Sequence, residues 1–162
     1  MVEKGAGVAG MSVRAGDTCA YCGQVVGEVG SPAVAEMVRE FHETYNCPIG
    51  IPINQMPSDL AAMRRNILVE EVREYNSASV DRDLVEIADA LADIVYVAYG
   101  TALTYGIDLD VVLAEVHRSN MSKLDADGKP IMREDGKVLK GPNYFKPNIR
   151  KALGLEGDNV NS

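Results

Sequence analysis

The sequence contains no tryptophan, only two histidines and three cysteines, and its 16 lysines and arginines are outnumbered by 24 aspartates and glutamates. Each shortage closes off a class of function. A net charge of −8 leaves no general basic surface for the phosphates of nucleic acid or for an anionic membrane, so neither is an expected partner. Cys19, Cys22 and Cys47 cannot all pair with one another, which argues against a disulfide framework. With His42 they could complete a Cys3His zinc site, but a single C-x-x-C is a weak signal and reduced thiols are the favoured reading. No uninterrupted apolar run approaches the roughly 18 residues of a membrane span, and residues 1–14 lack the apolar stretch of a signal peptide. The expectation is a cytoplasmic chain without membrane contact. A Gly-rich phosphate loop is missing too, so any phosphate chemistry must be carried by other groups.

What is present is 162 residues, 46% of them hydrophobic and 25% charged, enough for one globular domain. Residues 1–30 are rich in Gly, Ala and Val without periodicity and read as a loosely held leader. Residues 31–155 form the domain, and 156–162 a tail. Ser31 and Pro32 open a first helix, amphipathic through Val34, Met37, Val38, Phe41 and Tyr45. The proline-rich stretch from Cys47 to Pro57 is an extended connection, and Ser58 is expected to cap a second helix running to about Asn76. A polar link from Ser77 to Asp83 leads into a third helix that stops at Gly106, and Asp108 caps a fourth. Asp135-Gly136 between Ile131-Met132-Arg133 and Val138-Leu139-Lys140 signals a β-hairpin, followed by a short helix from Pro147 to Leu153. The expected class is all-α: an antiparallel bundle of four main helices with a small hairpin and a short helix near the C-terminus.

Six acids sit inside the apolar middle of this pattern. Glu70, Glu71 and Glu74 share one side of the second helix, and Glu86, Asp89 and Asp93 form a stripe on the third, at about 100° per residue. The third helix is otherwise apolar nearly all round, the pattern of a buried helix, so a merely solvated acidic face fits badly. A short turn between antiparallel helices lets the two clusters face each other. Carboxylates gathered in partly apolar surroundings need a positive compensator, and an all-oxygen donor set without His or Cys suits Mg²⁺, or Mn²⁺, better than zinc. Asn66 lies one turn before Glu70 on the same side. The end of the fourth helix gathers Arg118, Asn120 and Lys123; basic residues are common in a last turn, and here they could also clamp phosphates opposite a metal. Tyr144 and Phe145 place two aromatics in the turn that follows the hairpin.

These residues carry a family resemblance. Glu70-Glu71-x-x-Glu74 with the acids of the next helix resembles the all-α nucleoside triphosphate pyrophosphohydrolases, the MazG-like and phosphoribosyl-ATP pyrophosphohydrolase-like group. Asp93-Ile-Val-Tyr-Val-Ala-Tyr-Gly100, Gly106-Ile-Asp108 and Glu115-Val-His-Arg-Ser-Asn120-Met-Ser-Lys123 are similar to its dUTP-hydrolysing MazG-like branch, over about residues 40–147. One position departs: that branch usually has Glu three residues before the aspartate aligned with Asp93, and here stands Ala90. Asp89 or Glu86 could supply the carboxylate, or Glu86-x-x-Asp89 is itself the family's E-x-x-D; Asp89 and Asp93 with Glu86 nearby is the favoured assignment. The resemblance implies magnesium-dependent hydrolysis of a nucleoside triphosphate to monophosphate and pyrophosphate. The metal ligands would be Glu70, Glu71, Glu74, Glu86, Asp89 and Asp93, with Glu71 and Glu74 catalytic. Asn66, Arg118, Asn120, Lys123 and Tyr144 would bind substrate. It also implies a homodimer or dimer of dimers, as does a helix too apolar for three short partners to cover. Two other readings stand beside it: a nucleotide- or partner-binding protein whose turnover is weakened at Ala90, and a zinc-stapled interaction module.

Overall fold

The computed structural model describes residues 33–155. The expected leader with Cys19 and Cys22, the helix start at Ser31 and Pro32, and the tail from 156 to 162 lie outside the described residues. Within them are five α-helices, a 3-10 turn over Ile53–Gln55 and no strand.

Helix α1 (Val34–Thr44) turns Val38 and His42, one helical turn apart, into the core. Phe41 packs edge-on against Tyr96 at 5.7 Å between ring centroids. The helix stops where Asn46 adopts φ 54° and the Cys47 N–H returns to the His42 carbonyl at 2.8 Å, a left-handed closure made without glycine. The connection that follows donates from Gly50 and Ile51 to the carbonyls of Leu103 (2.9 Å) and Thr104 (2.8 Å) at the far end of the bundle.

Helix α2 (Ser58–Asp81) has 24 residues, about 36 Å long. Its cap position is Pro57, with Ser58 already helical and no side-chain cap, a correction to the expected Ser58 cap. It also runs five residues beyond Asn76, so the expected link shrinks to Arg82 and Asp83. Nothing from Ser77 to Asp81 breaks a helix, and Ala78 gains burial by staying in it. Arg82 makes the turn in the left-handed region, at φ 57°. Asp83 then caps helix α3 (Leu84–Thr104), accepting from the amides of Val85 (2.9 Å) and Glu86 (3.3 Å).

Helix α3 packs against both α1 and α2. Its buried residues are small: Ala90, Gly100, Ala102 and Thr104. Its large ones are not buried as expected: Leu84, Val85, Leu91 and Val95 are exposed, Val85 by 75%. By length and average composition alone this 21-residue helix would suffice to cross a membrane, as the core helices of many globular proteins would. The acids interrupt every apolar run yet leave the average high.

Helix α4 (Leu109–Met121) is capped by Asp108, whose carboxylate accepts from Val111 N–H at 3.1 Å, and Tyr99 Oη donates to Asp110 at 2.6 Å to tie α3 to it. The chain returns over α4: Ser119 Oγ donates to the Phe145 carbonyl (2.8 Å), Phe145 N–H to Ser122 Oγ (3.1 Å) and Asn148 N–H to Glu115 (2.6 Å) before helix α5 (Ile149–Ala152). The expected hairpin is not formed. A single antiparallel bridge joins Met132 to Val138 around the Asp135-Gly136 turn, because two three-residue arms with no third strand to extend them fall short of a ladder.

Candidate functional site

The register of α2 against α3 decides whether the two acidic clusters meet. Arg64 of α2 packs at Gly100 of α3, while seven residues on, Glu71 feels the charge of Asp93, seven residues before Gly100. Equal steps in opposite directions are what an antiparallel pair requires. The register therefore brings Glu71 to Asp93 and Glu74 to Ala90.

Glu71 is the half-buried member of the cluster; Glu70, Glu74, Glu86, Asp89 and Asp93 are exposed. Burial raises the pKa of its carboxyl above the ordinary value, and Asp93, Glu74, Glu70 and Asp89 raise it further, in that order. All four charges acting on it are acidic. Toward the α2–α3 turn a hollow of about 290 Å³ is lined by Glu74, Ser77, Ala78, Asp81, Asp83, Glu86, Asp89 and Ala90. Five of those eight are carboxylates and none is basic. Ala90, buried, stands where a glutamate would have pointed into the same volume. Asp89 belongs to both groups, acting on Glu71 and lining the hollow, whereas Asp93 is placed with Glu71 and Glu86 with the hollow. Sequence reasoning misses Asp81 and Asp83 because it ends α2 at Asn76; once α2 is extended, Asp81 falls two turns after Glu74. Asp83 spends one carboxylate oxygen on the α3 cap.

The donor chemistry suits a hard divalent cation, since carboxylate oxygens gathered without a cation are what such an ion compensates. As the side chains stand, no group of three or more His, Cys, Asp or Glu among the described residues is arranged to hold an ion; these acids could hold one only by moving inward. The same holds for zinc: Cys47 is a free thiol and His42 Nδ1 is engaged by the Pro48 carbonyl at 3.1 Å, with Cys19 and Cys22 outside the described residues.

The expected substrate-binding residues lie elsewhere in the fold. Asn66 is exposed on α2. Arg118 forks onto Glu115 at 2.8 and 2.9 Å and lies over the Phe145 ring at 4.3 Å. That guanidinium, with the Asn148 amide, holds the Glu115 carboxyl down to about 2. Lys123 Nζ donates to Asn120 Oδ1 at 2.8 Å, and Lys140 Nζ sits 4.4 Å from the centre of the half-buried Tyr144 ring. None of these residues lines the acidic hollow or acts on Glu71.

Comparison with known proteins adds three findings. The family profile described as phosphoribosyl-ATP pyrophosphohydrolase matches residues 38–120, just over half of the chain and all of α2, α3 and the acids between them. An uncharacterised protein of Acanthamoeba polyphaga mimivirus is 30% identical over 133 residues, covering 78% of this chain; the chain spans 50% of that relative's length. A crystallised protein of Exiguobacterium sp. 255-15, described as a candidate NTP pyrophosphohydrolase, is similar at 23% identity and a TM-score of 0.40, over 76% of this chain and 95% of its own.

Proposed function

Because the chain belongs to the phosphoribosyl-ATP pyrophosphohydrolase family, we propose that it hydrolyses a nucleoside triphosphate between the α and β phosphates. The products are the nucleoside monophosphate and pyrophosphate. The observation that carries the proposal is Glu71: a half-buried carboxyl whose pKa is raised by burial and by four neighbouring acids. Glu70, Glu71, Glu74, Asp89 and Asp93, with Glu86 nearby, would hold Mg²⁺, or Mn²⁺ in its place. The ion would supply charge neutralisation at the phosphate oxygens and a lowered pKa for the attacking water.

Glu71 orients that water and takes its proton as the new P–O bond forms at the α-phosphorus; the α–β bridging oxygen leaves with pyrophosphate. A carboxylate whose pKa is raised is a better proton acceptor than an ordinary one. Glu74, on the same face, completes the catalytic pair. The outer phosphates fall to Asn120 and Lys123, the latter having three donors and spending one on Asn120. Arg118 reaches them only by exchanging the Glu115 carboxylate for a phosphate, an anion with matching geometry for its fork. Asn66 and Tyr144 are assigned to the nucleoside. A dUTP-like deoxynucleotide is the favoured substrate, on the strength of the Asp93–Gly100 and Glu115–Lys123 sequences.

The working state in this proposal is a homodimer or a dimer of dimers. Leu84, Ala88, Leu91 and Val95 are exposed on α3 at spacings of four, three and four, which makes an apolar seam suited to a second copy.

The test is chromatography of the common and modified nucleoside triphosphates incubated with Mg²⁺ in ¹⁸O-labelled water. Monophosphate carrying the label, together with unlabelled pyrophosphate, is the expected outcome. Label in orthophosphate, or no turnover of any triphosphate, would count against the proposal. Nucleotide binding without turnover would favour the weakened binder, for which the buried Ala90 in the hollow is the lesion.

A further inference from the structure

Arg64 is a cation that the chemistry above does not use. It is half-buried in the seam between α2 and α3, and among the described residues no carboxylate pairs with it; the ion pairs there belong to Arg39, Arg118 and Arg133. Burial lowers its pKa, against the Cys47 thiol, which raises it. Its Nε is fully enclosed without a hydrogen-bond partner, and its Nη2 donates at 3.4 Å to the carbonyl of Val97. The guanidinium occupies the space that a Cβ on Gly100 would need, with His42 Nε2 at 2.9 Å from the same point. An apolar side chain would cost less here, so a half-buried guanidinium without a carboxylate partner calls for a compensating role.

The two-residue link at Arg82 and Asp83 fixes α2 against α3 at one end of the pair. Toward the other end, where no covalent link holds the two helices, a single polar residue that fits only one notch can hold their facing, as a lone polar residue does in a coiled coil. The notch at Gly100 is seven residues from Asp93, and Arg64 is seven residues from Glu71. We propose that Arg64, seated in the Gly100 notch, is a positioning residue that sets the α2–α3 register and so brings Glu71 opposite Asp93. The consequence for ion binding rests on the function proposed above; the consequence for register does not.

Two readouts separate them. The first is Mn²⁺ affinity, by the paramagnetic resonance of free Mn²⁺, for wild type, Arg64→Met, Arg64→Lys, Gly100→Ala and the control Val38→Ala. Val38 is buried in α1, so its truncation weakens the core without entering the notch. Arg64→Met and Gly100→Ala are expected to keep their helical signal and bind Mn²⁺ at least about tenfold more weakly, as loss of a supporting contact commonly does. Arg64→Lys should recover part of the loss, and Val38→Ala should lower the melting temperature while keeping wild-type affinity. The second readout needs no metal: a methyl–methyl Overhauser contact between Ile67 and Val97, three residues along from Arg64 and three back from Gly100. It should be present in wild type and Val38→Ala and lost or shifted by a turn in Arg64→Met and Gly100→Ala. Retention of that contact in both variants overturns the inference, as does a Val38→Ala loss of affinity equal to theirs. Failure of wild type to bind Mn²⁺ counts against the proposed function, and the methyl contact then decides the register claim alone.

Discussion

At the scale of single residues, burial moves Glu71 and His42 in opposite directions, raising the pKa of the carboxyl and lowering that of the imidazole. Glu74→Gln keeps the shape of the side chain but replaces an anionic oxygen by a neutral amide, so turnover should fall by about 10²-fold or more with the helical circular dichroism unchanged. An unaltered rate would remove Glu74 from the chemistry. His42 has its pKa lowered from the usual 6.5, first by burial and also by the Arg64 charge, against the opposing bond to Pro48. Well above pH 6.5 the imidazole is neutral in both folded and unfolded chains. As pH falls below that value the unfolded chain takes up the proton first, so stability declines until the folded pKa is passed. His42→Asn retains a donor for the Pro48 carbonyl and cannot titrate; the slope of melting temperature between pH 6.5 and 5 should be shallower than in wild type. An identical slope would show that His42 is not the group responsible.

At the scale of elements, helical periodicity makes α1 to α4 legible in the sequence, and Asp108 and Gly106 mark their ends because each has a local reason to be there. What is not legible is decided by packing across the chain. Ser77 to Asp81 is polar enough to pass for a link, yet burial of Ala78 keeps it helical and leaves the reversal to Arg82. The hairpin signal at Asp135-Gly136 is locally sound, but a turn does not make a sheet without neighbouring strands. The acidic positions follow from spacing alone, whereas the roles of Arg64 and Gly100 appear only when two helices are placed together. Arg82 supplies the prediction at this scale. A β-branched residue is strained at φ 57°, so Arg82→Val should destabilise the fold by about 1–3 kcal/mol while Arg82→Gly is tolerated. Equal denaturant midpoints for the two variants would mean that the turn relaxes out of the left-handed region.

At the scale of the whole molecule, the core of the described chain is small. Its buried hydrophobic residues are Val38, Ala78, Ala90 and Ala102, while Leu84, Leu91 and Val95 remain open on one helix. A second copy covering that seam should appear in light scattering as a mass of at least twice 17.5 kDa at micromolar concentration; a 17.5 kDa particle would contradict it. The central claim is that the acids of α2 and α3 converge on Glu71 and are relieved by a divalent ion. With its pKa raised above the ordinary 4.5, Glu71 loses its proton later in the folded chain than in the unfolded one. The contribution of Glu71 to metal-free stability is therefore greatest below that pH and is lost as pH rises through the folded pKa. Replacing Glu71 by Gln removes the charge and should raise metal-free stability at pH 8. Mg²⁺ should stabilise wild type by RT ln(1 + [L]/Kd), about 2.7 kcal/mol at a hundredfold excess over Kd, and the variant by less. The measurement is a set of melting curves for wild type and Glu71→Gln at pH 8, each in EDTA and in millimolar Mg²⁺. The account predicts that Mg²⁺ raises the wild-type melting temperature and that the variant outlasts wild type in EDTA; a wild type indifferent to Mg²⁺ and a variant no more stable without it would contradict it.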